Sequence, residues 1–357
     1  MKVMPRNRDR GLAYRDRLIK LLDHGPQRPS DLRPRGFLRA FGRTMRELLD
    51  DDLTDAAATL TYYGIMSIFP GLLVLVAGVG LLGDATTQSV VEGIRRMTFG
   101  PAQQVISAGI DHLRDNRREA GIIAIIGLVV AFYSASGYVG AFIRAANRIY
   151  DVPEGRPLWK IVPLRLVITI VTGLFLAVSV LAVVFTGRVA DEAGRLLGIE
   201  KGHINAFDVV KWPVLVVAFG LLLALLYWAG PNARQGGFRW ITPGSFLATF
   251  LWVVVSGGFA YYVSHFGSYD QVYGTLGGVI IFLVWMWLTN VAVLLGAEFD
   301  AELARERAIA AGLPRHAVPY LPLRDVPPNP QEVSPLGEIP ALEQGKRENR
   351  EGNTDSA

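Results

Sequence analysis

The sequence predicts an all-α fold: a polytopic integral membrane protein with six transmembrane helices and amphipathic helices at its interfaces. Three observations lead there. Of the 357 residues, 51% are hydrophobic and 19% charged, with a mean hydropathy of +0.30, whereas a soluble domain carries about 25% charged residues. The apolar residues gather in six blocks, about 57–82, 121–143, 165–187, 209–230, 241–264 and 274–297, and none has an ionisable residue in its central part. Roughly 20 apolar residues are needed to cross a ~30 Å hydrocarbon layer. Finally, if all six blocks span, 27 of the 36 Lys and Arg fall on the side that holds both termini. The positive-inside rule then puts both termini in the cytoplasm, and the membrane is expected to be the bacterial inner membrane. Arg114, Arg117 and Arg118, just before the second block, run against that bias.

The parts outside the blocks differ in character. Residues 1–34 are basic, are broken by Pro5, Pro26, Pro29 and Pro34, and are expected to form a mobile arm. Residues 35–302 make the membrane domain, which opens with an amphipathic helix over 35–49. There Phe37, Leu38, Phe41, Met45, Leu48 and Leu49 share one side at ~100° per residue, and Arg35, Arg39, Arg43 and Arg46 the other. Such a helix can lie on an anionic leaflet or pack on the bundle itself. The 84–120 connection carries two more apolar stripes, read as short amphipathic helices on the opposite face, and 188–207 looks similar. The first block starts after more than fifty residues and is too long for a signal-peptide core. The Pro- and Glu-rich tail, 303–357, is expected to be disordered.

The chain has no cysteine, which removes disulfides, thiolate chemistry and cysteine-ligated metals. Its five histidines, His24, His112, His203, His265 and His316, are scattered, with no HxH or HxxxH pair. Metal-dependent RNA cleavage needs clustered His and carboxylate ligands, and no such cluster is visible. No Walker sequence is present. The sequence therefore predicts no metal, no cofactor, no specific nucleic-acid partner and no enzymatic activity.

Candidate functional residues lie near the block ends. In the first block Asp55 can cap the helix start. Thr59, Tyr62 and Tyr63 follow on one helical face, and Pro70 removes a backbone hydrogen bond and is expected to kink the helix. This polar stripe could line a cavity or pack against neighbouring helices. In the second block Gly137 permits close helix contact. At its end Arg144, Asn147 and Arg148 either complement the helix C-terminus or form a basic mouth for a phosphate or carboxylate headgroup. The turn between blocks four and five holds Asn232, Arg234 and Arg239, and Trp228 and Trp240 suit the membrane interface. In the last block Gly274 and Gly278 have GxxxG spacing. Glu298 opposes the dipole at the helix C-terminus and is expected to pair with Arg144.

Four stretches, "LTYYGIMSIFPGLL", "SGYVGAFIRAANRIYDVPEGRPLWK", "LLYWAGPNARQGGFRWITPGSFLATFLW" and "FGSYDQVYGTLGGVIIFLVWMWLTNVAVLLGAEFDAEL", together resemble the YihY/BrkB family of bacterial inner-membrane proteins over roughly residues 45–305. The resemblance implies six membrane helices with cytoplasmic termini. It brings no established reaction, because members carry labels of virulence factor, candidate transporter and, historically, ribonuclease BN. Two functions are expected to compete: transport or flipping of a lipid-like or amphipathic envelope molecule, and a non-transporting envelope scaffold. Membrane lipids are partners under both. Transport calls for a polar cavity between the first, second and sixth spans, and a scaffold for a bundle whose polar groups satisfy one another.

Overall fold

The computed structural model describes residues 7–50, 53–80, 117–184, 201–237, 240, 242–265 and 275–327. Eight α-helices run through them: α1 (Asn7–Asp23), α2 (Pro34–Asp50), α3 (Leu53–Gly80), α4 (Arg117–Ile149), α5 (Leu158–Val184), α6 (Lys201–Ala229), α7 (Thr242–His265) and α8 (Thr275–Ala310). A short 3₁₀ turn (Pro29–Asp31) joins α1 to α2. No strand occurs among the described residues, only an isolated bridge between Ala233 and Leu323.

Among the described residues five helices are long and apolar enough to cross a membrane, over Leu128–Ile149, Leu158–Val183, Val209–Ala229, Pro243–Tyr262 and Gly277–Ala310. The remaining apolar block of the sequence falls on α3, a 28-residue helix that continues through the position of Pro70. The side chain of Pro70, Gly274, and the amphipathic segments expected over 84–113 lie outside the described residues. The six long helices form a closed ring. Each packs on the next in the chain, and α8 closes it against α3. The contacts of α3 with α4 and of α7 with α8 are the most extensive, and that of α5 with α6 the slightest.

With no competing water in hydrocarbon, a helix has to satisfy its own polar groups. Thr61, Thr169 and Thr249 accordingly bond back to the carbonyls of Ala57, Arg165 and Ser245 at 2.7–2.8 Å.

α8 has 36 residues, about 54 Å at 1.5 Å per residue, more than a bilayer needs. Its surplus end is packed by α1, α2 and the chain after it, and this is the end, the termini end below, at which the described N- and C-terminal segments gather. Two helices stop there by the same device. α4 ends with Asp151 at φ 50°, where Val152 N–H donates to Asn147 O and Asp151 N–H to Arg148 O. α8 ends with Gly312 at φ 103°, with Leu313 N–H on Ala308 O and Gly312 N–H on Ile309 O. Both are Schellman caps, which tie up carbonyls that a helix end would leave free.

Two expectations for the flanks are corrected. The arm is not mobile throughout: α1 packs, with Leu18 and Leu22 buried at 1% and 4% exposure, because Tyr14, Leu18 and Leu22 repeat every fourth residue and make an apolar stripe. Disorder does not begin at 303 either. α8 runs to Ala310, and the chain through residue 327 is seated on the bundle with Tyr320 and Leu321 buried. Of the two readings open for α2, packing on the bundle is the one seen. Phe37 and Phe41 meet Phe299 edge-to-face at 5.3 and 6.3 Å, while Leu38 remains 70% exposed.

Candidate functional site

The sequence-selected residues do not converge. On α3, Asp55, Thr59 and Tyr62 are exposed, and the Thr59 hydroxyl donates to its own helix at Asp55 O. Tyr63 turns to α4, where a Cβ on Gly137 would lie 2.7 Å from its ring. The buried polar face of α3 is a different one. Thr61 accepts a 3.0 Å bond from Asn290 Nδ2 of α8, whose Oδ1 accepts from the Tyr138 hydroxyl of α4 at 2.9 Å. That chain closes the contact of α3, α4 and α8 with its polar groups paired.

Arg144 does not meet Glu298. Arg144 and Arg148 are exposed, whereas Ala141, Ala145, Ala146 and Ile149 face the core. Four-residue spacing puts the two arginines on one face of α4, and it is the exposed one. Glu298 is 2% exposed. Gly278 also stands open, with nothing within 4 Å of a Cβ built on it. The glycines that do bring helices together are Gly244 of α7 and Gly296 of α8, where a Cβ on Gly296 would lie 2.5 Å from Gly244 O. Asp300 accepts the Gly244 N–H there at 2.7 Å, placing a carboxylate at the start of α7 where the helix dipole favours it.

Asn147 is buried and works as a clasp. It donates to Glu154 Oε2 at 2.9 Å and accepts from the Asn232 N–H at 2.7 Å. Asn232, fully buried, donates to the carbonyls of Pro153 and Asp325 and accepts from the Asp325 N–H. Arg156 grips Glu154 through two 2.7 Å bonds and reaches the carbonyls of Ala229 and Gly230 at the end of α6. Burial would raise the Glu154 carboxyl, but Arg156 and Asn147 outweigh it and hold it below its ordinary range. A Cβ on Gly155 would collide with the Asp325 carbonyl, so only glycine lets the C-terminal segment pass so close. These contacts knit the loops after α4 and α6 to the segment after α8.

α2 is tied to the same end by charge. Arg43 pairs with Glu302 and Glu306, Arg39 with Glu306 at 3.3 Å, and Arg305 of α8 with Asp151 at 2.5 Å. Glu302 and Glu306 are 2% and 4% exposed.

Within this frame lies a cavity of about 640 Å³, bounded by α1, the ends of α6 and α8, the loop after α6 and the C-terminal segment. Arg234, Arg307 and Arg324 line it with Gln27, Gln235 and Trp228. Trp228, 42% exposed, sits at the end of a membrane-crossing stretch, as the aromatic belt favours. Trp240 does not: it is 2% exposed, beneath Arg307, and donates to Gln27 O at 3.1 Å. Sequence reasoning noted Arg234 in its turn but missed Arg307 and Arg324, which lie in stretches that carry no motif. Among the described residues no three His, Asp or Glu side chains gather where they could hold a metal ion.

Comparison with known proteins settles the lineage. Residues 44–319, most of the chain, match the family described as Virulence factor BrkB. The chain belongs to the BrkB family. It is similar to a ribonuclease-like protein of Bacillus subtilis, YfkH, with 28% identity over 260 residues, 73% of this chain and 93% of that one. It is also similar to a UPF0761 membrane protein of Chromohalobacter salexigens, with 31% identity over 300 residues, 78% of this chain and 68% of that one. A UPF0761 membrane protein of Pseudoalteromonas translucida is 26% identical over 260 residues, 72% of this chain and 83% of that one. No solved structure matches. The BrkB match covers α3 through α8 and the seated C-terminal segment as far as residue 319, so the ring belongs to the family and α1 lies outside the match.

Proposed function

We propose that this BrkB-family membrane protein handles a lipid-like or amphipathic envelope molecule, taking up its polar end at the termini end of the helix ring and moving it across or along the bilayer. The observation that carries this reading is the polar cavity of about 640 Å³ beside the exposed Trp228. A site of that size beside the aromatic belt can hold a headgroup while the apolar part stays among lipid-facing helices. The Lys and Arg bias supports a cytoplasmic position for this end.

The chain's own composition gives a test of orientation. With no native cysteine, Arg315→Cys at an exposed position places a single thiol at the termini end. A membrane-impermeant maleimide should label it only after lysis; labelling of intact spheroplasts would reverse the orientation.

The scaffold reading is favoured by one observation of its own. The Thr61–Asn290–Tyr138 chain satisfies its members internally, as a packed bundle does. A purified, reconstituted protein separates the two. Accelerated exchange of fluorescent lipids between leaflets, measured by bleaching with an impermeant reductant, is expected for lipid handling. Exchange no faster than in protein-free vesicles would leave the scaffold. A nuclease is not proposed: the YfkH description belongs to that relative, and among the described residues there is no metal-bearing cluster to cut RNA.

A further inference from the structure

Several cations at the termini end meet carboxylates: Arg43 meets Glu302 and Glu306, Arg156 meets Glu154, Arg305 meets Asp151, and Lys160 meets Asp325. The arginines around the cavity are handled differently. Arg234, Arg307 and Arg324 share its lining with a single carboxylate, Asp23, and none of the three is in an ion pair among the described residues. Arg307 is held by the carbonyls of Pro26 and Leu22 at 2.9 and 3.3 Å and lies 5.1 Å from the Trp240 ring. Arg324 is held by the carbonyls of Ala233 and Trp228 and lies 5.2 Å from the Trp228 ring.

Carbonyls and ring faces fix a guanidinium plane without cancelling its charge. Each guanidinium has five N–H donors, and the bonds named use only Nε and Nη2 of each. Arg307 Nη1 stands beside Gly236, where a Cβ would collide with it. Burial, followed by the like charges of Arg156 and Arg234, pushes the Arg324 guanidinium down. This is the response of a cation in a positive field that lacks a counter-charge.

We propose that the cavity is a binding site for a phosphate-bearing group, with Arg234, Arg307 and Arg324 as its ligands and Trp228 as its wall toward the membrane. Arginine forks meet phosphate oxygens bidentately. Three guanidiniums against one carboxylate leave a surplus that suits a phosphate monoester, at about −1.5 to −2 charge, better than a lone carboxylate. The volume of about 640 Å³ admits more than bare phosphate, and Ile19, Leu22 and Pro322 offer it an apolar side. The inference rests on the reading above only for its preferred source, a lipid headgroup; a soluble phosphate compound has the same chemistry.

The test uses the full chain in two arms. In nanodiscs of phosphatidylcholine doped with phosphatidic acid or phosphatidylserine, native mass spectrometry reads the lipid that stays bound. In detergent, inorganic pyrophosphate is titrated against tryptophan fluorescence. Arg234→Gln is the main variant, because no bond of the Arg234 side chain holds the fold. Arg315→Gln removes the same charge outside the cavity.

Phosphatidic acid retained over the other lipids, and weakened about tenfold by Arg234→Gln but not by Arg315→Gln, supports the site with a lipid source, a charge-assisted bond being worth at least that. Pyrophosphate binding with the same variant pattern and no lipid preference supports it with a soluble source. Equal behaviour of the two variants, or no phosphate preference in either arm, overturns it. The leaflet-exchange assay is read separately. Lipid exchange without phosphate binding removes this site and leaves the proposed function, whereas binding without exchange does the reverse.

Discussion

The bilayer half of this protein and its termini end handle their side chains in opposite ways. Along α5 only 11% of the membrane-crossing stretch is buried, and Trp159, Val167, Ile170 and Leu174 are all more than half exposed. At the termini end, Glu298, Asp300, Glu302 and Glu306 of one helix are all at most 4% exposed. In hydrocarbon, lipid tails are as good an apolar neighbour as leucine, so helix contact has little hydrophobic drive and is confined to a few close approaches and hydrogen bonds. Where the helices emerge, burying a charge is costly unless it is paired, and each partner found there fixes a geometry. The difference teaches that the shape of the bundle is specified mainly where it leaves the membrane, by contacts between residues far apart in the chain.

That contrast can be broken most severely at Arg156. Its buried side chain binds both Glu154 oxygens and two carbonyls at the end of α6. Arg156→Ala leaves those groups unpaired, and a loss of about 3 kcal/mol is expected, read as a large drop in thermal unfolding temperature in detergent. Trp159→Ala, three positions on but 71% exposed, is expected to change it little. Equal losses would erase the distinction between the two regions.

Within the membrane half the same logic picks out its few specified contacts. Gly137→Ala pushes a Cβ into the Tyr63 ring and should cost about 1–3 kcal/mol, while Gly278→Ala, with open space around it, should cost nothing measurable. Asn290→Leu strands the Tyr138 hydroxyl and removes the donor to Thr61, which keeps its own bond to Ala57 O, and should cost about 1–2 kcal/mol. Adding Thr61→Val and Tyr138→Phe should recover part of that loss. A triple variant no better than the single would mean that the chain of bonds is not what holds α3, α4 and α8.

The smallest effect concerns pH. Glu154 has its folded pKa below its ordinary value. Its contribution is therefore present above about pH 4.3, the unfolded value, and is lost as pH falls through the folded one. Comparing wild type with Glu154→Gln across that range should show a gap in unfolding temperature at neutral pH that narrows on acidification. A constant gap would mean that the carboxylate charge is not what is recognised.

Some of this was legible in the sequence. The apolar blocks mark the long helices, because twenty apolar residues in a row have few other uses, and the 35–49 pattern marks α2. α1 was legible too, in the repeat of Tyr14, Leu18 and Leu22, but the prolines and charges around it argued for a loose arm. The termini-end site was not. Arg43 meets Glu302 across 259 residues, and the Asn232 side chain holds Asp325 across 93; no local pattern encodes a partner at that range. Pairing Glu298 with Arg144 rests on Glu298 opposing its helix dipole, and a helix dipole says nothing about which face of α4 a residue occupies. Arg307 and Arg324 look like ordinary flanking charges until the fold shows that, unlike Arg43 and Arg156, they form no ion pair among the described residues and share one carboxylate, Asp23, with Arg234.

The central claim is that a headgroup is recognised at the termini end and not along the bilayer-facing helices. Photo-crosslinking with a phosphatidic acid that carries a photoreactive group beside its phosphate, followed by peptide mapping, tests it directly. Adducts concentrated in 228–237 and 322–327, and competed by unlabelled phosphatidic acid, are the predicted result. Adducts spread along α4 and α5, with none in those two segments, would contradict it.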